Sequence, residues 1–167
     1  MTKSLSSVIR VGFNEACNLQ DSDHRFSEAQ GWELALTSTS LLDLPKLLQR
    51  REVPASRQDE LLAATIRAYR RGPAALWGPV LLSMLAPALI RMATPLHAQP
   101  PAIDDEDIDQ QVIAETLRAA ALMPLPESCR FVQRRLIAFT RKRLTRWLAR
   151  ESRHRASQAP FDALEEN

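Results

Sequence analysis

The sequence predicts an all-α fold, a compact helical bundle with an irregular N-terminal extension. Three observations carry this. The chain has only four glycines in 167 residues. Runs of alternating β-branched residues are few. Apolar residues recur at the 3.6-residue period in stretches bounded by proline or glycine. Hydrophobic residues at 45% with 25% charged residues describe a globular chain rather than a disordered one. The length suits one domain with a real core. Residues 1–55 read as a partly helical extension, 56–155 as the helical domain, and 156–167 as a flexible polar tail.

Within the extension, Met1-Thr2-Lys3-Ser4 lacks the apolar core of a signal peptide. Val8-Ile9-Arg10-Val11-Gly12-Phe13 reads equally as a short strand or as an arm that docks. Asn18 to Gln30 reads as a loop, and helical text resumes at Gly31. Asp43 is placed to cap a short helix with Pro45 in its first turn, and Val53-Pro54 ends that piece.

The next three helices follow the same logic. Ser56 with Asp59 resembles a capping box for a helix to Arg71. Its apolar stripe is Leu61, Leu62, Thr65, Ile66 and Tyr69, with Arg67, Arg70 and Arg71 facing away. Gly72 stops it and Pro73 opens an element over 73–97 that is apolar on nearly every side, the expected centre of the core. Pro87 is expected to kink that element. Its most apolar part, Ala74 to Ile90, is broken by Gly78, Pro79 and Pro87 and is short for a bilayer, so no membrane partner is expected. An extended Ala98-Gln99-Pro100-Pro101 connection leads on.

From Asp104 to Glu115 the chain holds six acids, at 104, 105, 106, 107, 109 and 115, and no base. The early carboxylates suit a helix N-terminus, which Asp104 or Asp105 can cap. Ile108, Val112, Ile113, Thr116, Leu117, Ala119 and Ala120 form the inner half of the wheel. After Pro124 and Pro126 a last helix runs from Glu127 or Ser128 to about Ser152. Val132, Leu136, Ile137, Phe139, Leu144, Trp147 and Leu148 line its inner side. Residues 130–155 carry ten cations against Glu151 alone: Arg130, Arg134, Arg135, Arg141, Lys142, Arg143, Arg146, Arg150, Arg153 and Arg155. The stems of Arg143 and Arg150, at the edge of the apolar arc, can carry their charge out to water. The overall charge of +2 hides this segregation. A solvated face accounts for either run taken alone, but a basic helix with so few acids among its cations points to polyanion binding.

This order of parts resembles region 2 of the bacterial sigma-70 family, closest to the extracytoplasmic-function type. The likeness spans about residues 57–155, with Asp59-Glu60-Leu61-Leu62 in the first helix. The family's acidic helix reads roughly D-x-E-D-[LI]-x-Q-E-x-[FI], and Asp104, Glu106, Asp107, Ile108, Gln110 and Ile113 stand in those places. Phe139-Thr140-Arg141-Lys142 and Trp147-Leu148-Ala149-Arg150-Glu151 fall loosely in register with its basic helix. Gln111 replaces a glutamate, Asp109 sits within the apolar arc, and no counterpart of the helix-turn-helix region 4 is recognisable.

The resemblance implies that the acidic helix 104–120 docks on the β′ coiled coil of core RNA polymerase through Glu106, Asp107 and Gln110. It implies DNA contacts from the basic helix 128–153, through Arg134, Arg135, Arg141, Lys142 and Arg146. A regulatory protein partner and a cytoplasmic location fit the same expectation. The alternative is a small helical adaptor or mobile-element regulator acting through protein contacts. An enzyme is not expected, nor a cofactor or metal. His24, His97 and His154 have no spaced ligands beside them, Cys17 and Cys129 have no C-x-x-C partner, and no glycine-rich phosphate loop is present.

Overall fold

A computed structural model of the chain describes residues 4–22, 43–50, 52–97, 103–125 and 130–165. These form helices α1 (Leu5–Ser22), α2 (Leu44–Gln49), α3 (Ala55–Arg71), α4 (Ala74–His97), α5 (Asp105–Leu122) and α6 (Val132–Glu165), and no strand occurs among the described residues. The expected all-α bundle is what is found. The readings of 23–42, of the 98–102 connection, and of His24 and Cys129 lie outside the described residues.

Helix α4 is the centre, and each of the other helices among the described residues packs against it. Its sequence explains why: Leu76, Trp77, Val80, Leu81, Leu82, Met84, Leu85, Leu89 and Met92 point to several sides, and all are buried. Val112 and Leu136, from α5 and α6, are fully buried in the same cluster, while Phe139 packs against its edge, half-buried. The helix continues through Pro79, Pro87 and Pro95. Each proline removes one intrahelical bond, and the helix is nonetheless unbroken from Ala74 to His97. At 24 residues it is, by length and composition, long and apolar enough to cross a membrane, unlike its 74–90 segment alone. Here 56% of the apolar window is buried against neighbouring helices.

Helix α1 corrects the reading of residues 8–22. Val8–Phe13 is neither strand nor arm but the middle of an 18-residue helix, which runs five residues, Asn18 to Ser22, into the expected loop. Leu5, Ile9, Phe13 and Ala16 make a helical stripe along α4, leaving Val8 and Val11 exposed. Gly12 lies over Pro79, where an added Cβ would stand 3.9 Å from the proline Cβ.

Buried hydroxyls are satisfied within their own helices. Thr65 donates to the Leu61 carbonyl (2.9 Å), Thr116 to Val112 (2.7 Å) and Thr140 to Leu136 (3.0 Å). Several helix ends depart from expectation. Asp43 makes no side-chain capping bond to α2 and pairs instead with Lys46 at 3.2 Å. Helix α3 starts at Ala55 behind Pro54, with Ser56 inside it, so the Ser56/Asp59 capping box does not form. Arg70 does not face away: its Nε donates to the Ala120 carbonyl (2.8 Å) and an Nη to that of Met123, capping the end of α5. Burial and nearby Arg67 lower its pKa. Helix α6 runs to Glu165, through Pro160, rather than ending near Ser152, where the sequence places no glycine or proline to stop it.

Candidate functional site

The acidic turn is built as its sequence suggests. Asp104 caps α5, its side chain accepting from the Glu106 N–H at 3.0 Å. Ile108 and Val112 turn into the core, which leaves Glu106, Asp107 and Gln110 exposed and close together. Gln110 Nε2 donates to Glu106 Oε1 at 3.4 Å. Asp107 is also engaged within the chain, 3.5 Å from an Nη of Arg155, which bonds Glu151 at 2.9 Å. The Asp107–Arg155 pair is open to water, 53% and 40% exposed, so it is weak and exchangeable.

Asp109, the acid in the apolar arc, does go inside. It is 7% exposed, with its Oδ1 3.0 Å from His97 Nε2 at the end of α4. Both atoms are buried, and their approach is off the line of a hydrogen bond. Burial pushes the Asp109 carboxyl above its ordinary value. His97 and the Leu5 backbone N–H pull the other way, and Asp105 adds a smaller push upward. Beside it a recess of about 290 Å³ lies where the ends of α1, α4 and α5 meet.

The basic face lies further back along α6, away from the acidic turn. Asp107 meets Arg155 and Glu115 meets Arg143, so the two helices run antiparallel. Arg134, Arg135, Arg141, Lys142 and Arg146 are all exposed. Spacings of seven residues place Arg134 above Arg141 and Arg135 above Lys142, with Arg146 one turn further along the second row. None of the five forms an ion pair with a described residue. At 1.5 Å per residue, the face lies about 15–30 Å along the helix from Arg155 and the acidic turn.

Three features of this region were not legible in the sequence. Asp59 of α3 caps α6, accepting from the N–H groups of Phe131 (2.6 Å) and Gln133 (3.2 Å). Phe131 has φ 57°, left-handed backbone that bulky residues seldom adopt, and its side chain is 63% exposed at the start of the cationic face. Glu115 is 2% exposed. It bonds Arg143 Nε, accepts from Gln111 at 3.0 Å and lies 3.5 Å from Arg118. Arg143 thus turns to a buried carboxylate instead of out to water. No run, stripe or motif marks the Asp59 cap, the Phe131 backbone or the Glu115–Arg143 pair, because each joins residues far apart in the chain or depends on one dihedral angle. Among the described residues no three His, Cys, Asp or Glu side chains gather as metal ligands would. Comparison of the chain with protein-family profiles, curated proteins and solved structures returns no match.

Proposed function

We propose that this chain is a sigma-like transcription protein acting in the cytoplasm. It binds core RNA polymerase through the exposed acidic turn of α5 and DNA phosphates through the outer face of α6. The observation that carries the reading is the state of the basic face: five exposed cations in two rows, with no carboxylate among the described residues paired to them. A face that served only solubility gains nothing from keeping its cations clear of acids, whereas a phosphate-binding face must keep them free. The exposed Phe131 ring at its edge adds a surface on which an unpaired base can stack.

The polymerase half rests on the pattern of Asp104 to Ile113 and on the exposure of Glu106, Asp107 and Gln110. Two carboxylates and an amide within about one turn suit a single basic partner surface. Their test is the double change Asp107→Ala and Gln110→Ala. As a surface acid at a helix start, Asp107 contributes about 0.3–1 kcal/mol to stability, and the neutral Gln110 carries no charge to set against the helix dipole, so the melting temperature should hardly move. As one partner of a desolvated charge pair, Asp107 should contribute about 2–5 kcal/mol to binding. Association with an isolated β′ coiled-coil fragment should therefore be lost. Wild-type protein that fails to bind either core polymerase or the fragment would make the acidic turn a plain solvated helix start.

A further inference from the structure

The cleft between α5 and α6 holds a second group of arginines that the DNA-facing rows do not account for. It has a volume of about 430 Å³ and is lined by Glu115, Arg143, Arg146, Ala149, Arg150 and Arg153. We propose that this cleft binds the linked phosphate groups of a small ligand, such as a nucleoside polyphosphate or an inorganic polyphosphate.

Four guanidinium groups line one recess against a single carboxylate, and that carboxylate is already committed. Glu115, buried at 2% exposure, is occupied by Arg143, Arg118 and Gln111. Its role is to fix Arg143: Nε is held by the glutamate, which leaves the terminal nitrogens for another acceptor. Arg153 is restrained in the same way, its Nε donating to the Ala149 carbonyl at 3.0 Å. Two guanidinium planes are therefore positioned before any ligand arrives, and preorganised forks of this kind match phosphate oxygens.

The spacing 143, 146, 150, 153 sets like charges three and four residues apart, an arrangement that is unfavourable on a bare helix. A bound polyanion relieves it. At 1.5 Å per residue the stripe is about 15 Å long, which exceeds the reach of one phosphate and suits two or more in series. A recess of a few hundred cubic ångströms is of small-ligand size, and the lining offers charge rather than apolar surface. The site shares Arg146 alone with the DNA-facing set, so the two can fail separately.

The probe is inorganic pyrophosphate, titrated calorimetrically into the full chain at low salt. One-site saturable binding is expected. It should weaken by about tenfold or more in Arg150→Gln/Arg153→Gln, where two charge-assisted contacts are removed. The control Arg134→Gln/Arg135→Gln carries the same change of net charge outside the cleft and should bind like wild type while losing affinity for duplex DNA. All four positions are exposed, and circular dichroism checks that both variants fold. Tighter binding of a nucleoside triphosphate than of pyrophosphate assigns the site to nucleotides; tighter binding of an inorganic polyphosphate with no gain from the nucleoside assigns it to the chain polymer. No saturable binding, or an equal loss in the two variants, overturns the proposal.

Discussion

Asp109 shows how a single side chain can set the behaviour of a junction. Its burial raises its pKa, so the folded state prefers the neutral acid, although His97 and the Leu5 N–H favour the carboxylate. For a group raised in the folded state, the stabilising contribution is complete below the ordinary value of 3.8 and is lost as pH rises through the folded value. At neutral pH the buried carboxylate is a net cost. Asp109→Asn should therefore raise the melting temperature at pH 7, and the gain should shrink toward zero near pH 4. An unchanged or lowered melting temperature at pH 7 would mean that His97 outweighs burial. Asp59 acts in the opposite sense, as a cap on a helix 72 residues further on. Asp59→Ala leaves two N–H groups of the α6 start without their acceptor and should cost about 0.5–2 kcal/mol in urea unfolding.

At the scale of elements, α4 organises the bundle because its apolar residues turn to several sides at once. Gly78 sits in its first two turns, facing Leu117 and Tyr69, where an added Cβ would meet their side chains at 3.6 and 3.7 Å. Those are ordinary contact distances. Gly78→Ala should thus gain about 0.5–1 kcal/mol of helix propensity without a clash, read as a higher urea midpoint; a loss would show that α3 and α5 press closer than these distances imply. Helices α3 to α6 were legible in the sequence because proline or glycine bounds apolar stripes of helical period. The stripe of α1 was not, because Val8 and Val11, β-branched but exposed, hide the Leu5–Ile9–Phe13–Ala16 period. The acidic turn and the basic rows were legible as charge on a wheel. The Glu115–Arg143 pair and the Asp59 cap were not, since periodicity along one helix says nothing about which neighbour it will meet.

In the whole molecule the charges are divided between the two ends of one antiparallel helix pair: an exposed acidic turn beside Arg155, and unpaired cations toward the start of α6. The central claim is that those cations exist to hold nucleic-acid phosphates. Its most direct test is the salt dependence of affinity for a short DNA duplex, measured by fluorescence anisotropy for wild type and for Arg141→Glu/Lys142→Glu. If each of the five cations neutralises one phosphate, log affinity should fall against log salt with a slope of about −4.5, at roughly −0.9 per phosphate. The double reversal should make the slope shallower by about 2 and weaken binding at every salt concentration while the fold persists. Binding that ignores salt, or that is the same in the reversed protein, would contradict the account.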